Sequence, residues 1–178
     1  MKKAVLISIK PKWRSLIASG EKTLEIRKTA PGIKPPFKCY IYETQGKTET
    51  PWMDEDGHMI FKGRGAVIGE FVCDRIERVD VPFPAYIDQV DTQKLKAACL
   101  SYLEAHAYLG HRSGFGWHIS GLKIYDKLKP ISDYVRPLCE RVSDCGSCRH
   151  WDNETFDCGR GNIITRPPQS WMYVEELP

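Results

Sequence analysis

SGEKTLEIRK, residues Ser19 to Lys28, places Lys22, Glu25 and Arg27 among the apolar residues Leu24 and Ile26. From Thr23 to Arg27 apolar and polar residues alternate strictly, which is the period of a β-strand. Leu24 and Ile26 therefore share one face, and Thr23, Glu25 and Arg27 share the other. Lys22, at the start of the strand, leans over that same polar face. Two cations and a carboxylate on one side can pair with each other on a solvated strand edge and contribute little, or they can line a cleft.

The elements on either side can be read outward from this strand. AVLISI (Ala4–Ile9) is apolar and β-branched enough for a buried strand, and Pro11 suits the first turn of a helix. Trp13, Leu16 and Ile17 follow at helical spacing, and Gly20 is placed to end that helix in a left-handed conformation. KCYIYET (Lys38–Thr44) is a further strand, and Gly65–Val81 a long one that Gly69 bends or bulges. The polar, glycine-rich Gln45–Arg64 segment between them reads as a loop or loose hairpin with DEDG as its turn. DTQKLKAACLSYLEAHAYLG (Asp91–Gly110) reads as one helix, capped at Asp91 or Thr92, with Leu95, Ala98, Cys99, Tyr102 and Leu103 inward. Gly116–Asp126 and Pro167–Glu176 return to strand character. The order predicts an α+β, mainly β chain: a small curved sheet or barrel with two main helices, without parallel βαβ winding.

With 178 residues, 42% hydrophobic, the chain is long enough for a single domain with a full core. Its formal charge of +3 permits a polyanionic partner without demanding one. No apolar run has the length of a membrane span, and MKKAVLISIK lacks the form of an export signal, so a cytoplasmic protein without a membrane partner is expected.

Seven cysteines are present, and four of them crowd between Cys139 and Cys158 in the pattern Cys-x5-Cys-x2-Cys-x9-Cys. In the absence of an export signal this clustering reads as metal binding, with Cys139, Cys145, Cys148 and Cys158 as soft ligands suited to tetrahedral, structural zinc. His150 can replace one thiolate, and the spacing also admits an iron–sulfur cluster or plain reduced thiols. Residues 139–160 form a cysteine-rich insertion before the last strand. Cys39, Cys73 and Cys99 sit in apolar contexts and read as small core residues.

Gly20, Lys22, Thr23, Glu25 and Arg27 match Gly-x-Lys-Thr-x-Glu-x-Arg, and with GWHISGLKIYD and RPPQSWMYVEE they give the chain a family likeness. It resembles the ASCH domain family over Met1–Lys129 and again over Arg166–Pro178. The resemblance implies a single ASCH/PUA-like domain over residues 1–178, built on a small β-barrel, with RNA or a modified nucleotide held in a cleft beside the barrel. One branch of the family is an amidohydrolase that deacetylates N4-acetylcytidine with a lysine, a threonine nucleophile and a glutamate. On this chain Lys22 falls on that lysine, whereas Glu25 falls on the nucleophile, with Thr23 a neighbouring hydroxyl on the same face.

A nucleotide reader needs cationic donors for phosphate, a carboxylate to accept from a base amino group, and aromatic faces for stacking. Lys22, Arg27, Glu25 and Thr23 supply the polar set. Trp13, flanked by Lys10, Lys12 and Arg14, is the candidate stacking residue, with Trp117, His118 and Trp171 as others. Trp117 and His118, being adjacent on a strand, point to opposite faces, so at most one of them lines the cleft.

Overall fold

The computed structural model describes residues 2–46, 52–53, 59–60, 63–82, 90–110, 112–137, 151–152, 154, 157–158 and 163–178. Strand β1 (Lys3–Ile9) leads into helix α1 (Pro11–Ala18), followed by β2 (Leu24–Arg27) and β3 (Phe37–Glu43). Two short strands, β4 (Trp52–Met53) and β5 (Met59–Ile60), precede the long β6 (Ala66–Val79). Helices α2 (Thr92–Ala97) and α3 (Tyr102–Leu109) come next, then β7 (Gly114–Lys129), β8 (Trp151–Asp152), β9 (Asp157–Cys158) and β10 (Trp171–Glu175).

Six strands form one mixed sheet in the order β10-β1-β3-β6-β7-β2, with β10 and β2 at its edges. The sheet is mainly antiparallel and does not close into a barrel among the described pairings. Contrary to the expectation that no parallel winding would occur, β1 and β3 pair in parallel, Val5 opposite Cys39 and Ile9 opposite Glu43. Helix α1 and strand β2 fill the crossover that a parallel pair requires. The expected loose hairpin is present as the β4–β5 pair, Trp52 opposite Ile60.

Both faces of the central strands are buried, which explains why β1 and β3 are apolar almost throughout. Val5, Ile7, Ile9, Cys39, Ile41, Phe71, Cys73 and Trp117 form one core, closed by Ile17 of α1. On the opposite face Ala4, Leu6, Tyr40, Val67, Tyr134, Ile164 and Val174 form a second. Leu24 and Ile26 of β2 join Val79, Leu95, Ala98, Ala105 and Leu109 in a third, beneath α2 and α3.

The single helix expected over Asp91–Gly110 is two helices. Asp91 caps α2, its side chain accepting from the Lys94 amide at 3.1 Å. Cys99 then takes a left-handed φ of 51°, and the Leu100 amide bonds back to the Leu95 carbonyl at 3.0 Å, a Schellman-type stop at a residue other than glycine. Ser101 and Glu104 restart the chain as α3 with a reciprocal capping box. The break turns Leu103 outward to 75% exposure and leaves Cys99 half-buried at the turn, against the reading of both as core.

Two glycines hold the frame for opposite reasons. Gly20 ends α1 at φ 81° with open space around it, so only its backbone conformation requires glycine. Gly69 lies beside register shifts in the β6–β7 pairing, and a Cβ there would sit 2.5 Å from the Lys123 carbonyl oxygen. Gly20→Ala is expected to cost about 1 kcal/mol, a fall in Tm of about 2–4 °C. Gly69→Ala should cost at least twice that, because backbone must move. Calorimetric melting of both variants checks the ranking, and equal shifts would mean that β6 and β7 part without strain.

Candidate functional site

Strand β2 is buried on both faces. Leu24 and Ile26 pack under α2 and α3, while Glu25 and Arg27 emerge on the other face, together with Lys22. The Arg27 guanidinium (Nη2) lies 3.0 Å from Glu25 Oε1, and the Lys22 ammonium 3.4 Å from Glu25 Oε2. Side-chain exposure is 3% for Lys22 and 8% for Glu25 and Arg27, so the three are an enclosed ion triad and not a solvated edge pair. Removing one member of such a group leaves its neighbours charged and desolvated, a cost of about 3–5 kcal/mol.

The cations are held by backbone as well. Arg27 Nη2 donates to the Ser8 carbonyl at 2.7 Å and Nη1 to Ser170 Oγ at 3.4 Å. Lys22 donates to the Ala98 carbonyl at 2.5 Å, at the C-terminal end of α2, and its ammonium lies 5.1 Å from the centre of the Trp13 ring. Thus Arg27 spends its terminal nitrogens on β1, Glu25 and the segment before β10. Its Nη2 holds Glu25 from one side while the residue lines the cavity. Glu25 Oε2 and Arg27 Nε are both enclosed and have no hydrogen-bond partner of good geometry among the described residues.

Above the triad opens a cavity of about 560 Å³. Lys22, Glu25 and Arg27 line it, with Ser8, Ile9 and Lys10 from the β1–α1 junction and Trp13 on α1. Leu100, Glu104, Ala107 and Tyr108 bring in the α3 side, and Ile26, Thr44, Gln169 and Ser170 complete the lining. Helices α1 and α3 are bridged across it by Lys12 and Glu104 at 3.1 Å. Partial burial raises the Glu104 carboxyl, but hydrogen bonds from the Ser101 amide and the Lys12 ammonium outweigh it and hold the group below its usual value. The Lys12 ammonium also stands 4.7 Å from the Trp13 ring centre.

The sequence-predicted residues divide accordingly. Lys22, Glu25, Arg27 and Trp13 come together at the cavity. Thr23 does not: it is exposed, and its backbone is tied to Ala97 and Ile119. Trp117 lies opposite Glu25 in the β2–β7 register, but it is fully buried, edge-on to Phe37 and 5.7 Å from Trp171. Trp171 packs against the same core and donates to Thr29 Oγ1 at 3.0 Å. His118, on the outer face of β7, meets Asp74 at 2.6 Å and does not line the cavity. Cys139, Cys145 and Cys148 lie outside the described residues, as does the side chain of Cys158. Cys39 and Cys73 are buried core residues, and burial pushes the Cys73 thiol up to about 12.

Sequence reasoning missed the α3 wall, Leu100, Glu104, Ala107 and Tyr108. The signal for it was present in Ser101-x-x-Glu104, the capping-box pattern that starts a helix within the stretch read as one. Ser8 and Ser170 carry no such signal, because the placing of β1 and of the segment before β10 brings the Ser8 carbonyl and the Ser170 hydroxyl to Arg27.

No family model and no curated protein sequence matches the chain. Solved structures do. The ASCH protein of Zymomonas mobilis is similar at 20% identity and a TM-score of 0.52, covering 97% of this chain and 88% of that one. A tyrosine-to-phenylalanine mutant of the same protein is similar at 19% identity and a TM-score of 0.53, covering 98% and 92%. Likeness at this level of identity speaks for architecture, and with the triad and its cavity on the same frame the chain has the fold of an ASCH domain.

Proposed function

We propose that the chain binds nucleic acid, RNA or a modified nucleotide, with one base held over the Lys22–Glu25–Arg27 triad. The observation that carries this reading is Glu25: a carboxylate 6% exposed at the floor of an open cavity, held between the Arg27 guanidinium at 3.0 Å and the Lys22 ammonium at 3.4 Å. A positioned acceptor beside an ammonium complements an amino group next to a ring acceptor, the edge that cytosine or adenine offers. The triad carries a net charge of +1, which further favours an electron-rich ligand group at the cavity floor. Trp13, half-buried at the wall, gives an apolar surface for the base.

The test is titration of cytidine monophosphate and of single-stranded RNA at two salt concentrations. Glu25→Gln keeps the side-chain volume and should weaken binding about tenfold or more, the scale of a lost charge-assisted hydrogen bond. Lys22→Ala should weaken it as well. Arg27→Ala should lower the melting temperature along with affinity, since the Ser8 carbonyl and Glu25 lose their shared donor. Equal affinity for wild type, Glu25→Gln and Lys22→Ala would refute this use of the cavity.

A second reading is an amidohydrolase acting on an acylated nucleoside such as N4-acetylcytidine. It is favoured by the buried Lys22 ammonium beside a carboxylate, with hydroxyls of Ser8, Thr44 and Ser170 in the lining. Two of these are engaged: Ser8 donates to the Pro168 carbonyl at 2.6 Å and Ser170 accepts from Arg27. With Glu25 in the nucleophile position, chromatography of N4-acetylcytidine incubated with the protein should show no deacetylation above background. Turnover abolished by Lys22→Ala would put the enzyme first.

We further propose one structural zinc per chain held by Cys139, Cys145, Cys148 and Cys158. In support, the segment leaves and returns at one point, where Val135 and Ile163 form an antiparallel bridge, and Trp151 pairs with Cys158 inside it. Between Glu140 and Asn162 the clear hydrophobes are Val142, Trp151 and Phe156, too little apolar surface to order some twenty residues unaided. Metal binding supplies the missing stabilisation. Elemental analysis of protein purified without chelator should find zinc, lost in Cys145→Ser with Cys148→Ser together with protease resistance of this segment. Iron with visible absorbance, or metal-free protein equally resistant, would overturn the assignment.

A further inference from the structure

The cavity floor and its rim differ in how their charges are committed. On the floor, Arg27 is spent on Ser8, Glu25 and Ser170, and Lys22 on Ala98 and Glu25. On the rim, Lys10 precedes α1, lines the cavity and is exposed, and no ion pair engages it among the described residues. Lys28, directly after Arg27, is exposed, with its ammonium 5.2 Å from the centre of the Tyr108 ring. Tyr108 projects from α3 into the lining and keeps 38% of its surface open to solvent. Positive charge that no ion pair engages among the described residues thus stands at the start of α1 and beside Tyr108 of α3, outside the place where a base would sit.

Resting on the nucleotide reading of the same cavity, we infer that the ligand is an internal nucleotide of a single strand rather than a free nucleotide. The neighbouring base stacks on Tyr108, and the phosphates on its two sides meet Lys28 and Lys10. A monophosphate confined to the floor would find its cations already ion-paired to Glu25, whereas a strand crossing the mouth carries phosphates to the two lysines that no ion pair engages among the described residues. An aromatic face paired with a cation at the edge of a cationic groove is the arrangement that binds successive bases without regard to sequence.

The experiment compares cytidine monophosphate with a single-stranded cytidine octamer by titration, in wild type, Tyr108→Ala, Tyr108→Phe and Lys28→Ala. The octamer should bind more tightly than the monophosphate. Tyr108→Ala should reduce the octamer-to-monophosphate affinity ratio about 5- to 150-fold, and Tyr108→Phe should retain it. Lys28→Ala should lower the slope of log affinity against log salt for the octamer by about one. Because Tyr108 and Lys28 are exposed, these variants should melt with the wild type, and the melting curves check it. An octamer bound no more tightly than the monophosphate, or an unchanged ratio in Tyr108→Ala, would overturn the inference. If the monophosphate still binds and still depends on Glu25, that result leaves the cavity reading standing; if neither ligand binds, the cavity reading itself fails.

Discussion

The buried Lys22–Glu25–Arg27 triad is the constraint around which the frame is arranged. Three charges at 8% exposure or less cannot be left to water, so each must find its partners within the protein. Those partners come from four places: the Ser8 carbonyl at the end of β1, the Ala98 carbonyl closing α2, Ser170 ahead of β10, and Glu25 itself. Satisfying the triad therefore ties edge strand β2 to the opposite part of the sheet and to the α2–α3 unit. The same desolvation that makes the group costly makes its geometry exact, because any rearrangement would strand a charge.

Why β2 tolerates this is explained by its other face. Leu24 and Ile26 enter an apolar cluster with Leu95, Ala98, Ala105 and Leu109, and that burial supplies the favourable term that offsets part of the cost of enclosing charge opposite. The strand is four residues long and buried at every position. Its alternation thus separates two kinds of interior, one apolar and one ionic, instead of interior from solvent.

That distinction marks how far the sequence could be read. Period two in TLEIR identifies the strand and its two faces, and Gly20 and Pro11 mark the ends of α1 through local backbone physics. Burial of the polar face depends on α1, α3 and the segment before β10, which no local pattern in β2 reports. Likewise, a left-handed Cys99 is a tertiary choice, whereas the Ser101–Glu104 capping box was local and legible. Between Trp13 and Trp117 composition is silent: one is opened to the cavity by its place on a short surface helix, and the other is sealed by Phe37 and Trp171. The parallel β1–β3 pair escaped because strand pairing follows from which elements fill the crossover, not from the strands themselves. Tyr108 and Glu104 were hidden behind the reading of one long helix.

Under the proposed nucleotide reading, floor and rim divide the work of recognition. The floor is preorganised: its charges are buried, held by backbone carbonyls, and incur little further ordering cost when a ligand arrives. The rim is built from half-exposed contacts, and the Lys12–Glu104 bridge that spans α1 and α3, at 37% and 41% exposure, belongs to the class worth about 0–1 kcal/mol. Such a bridge yields easily. Under that reading, a fixed polar floor with a yielding, aromatic, cationic rim would discriminate by the base edge at its centre and accept variation in what flanks it, because only the floor would exact a penalty for a mismatched hydrogen bond.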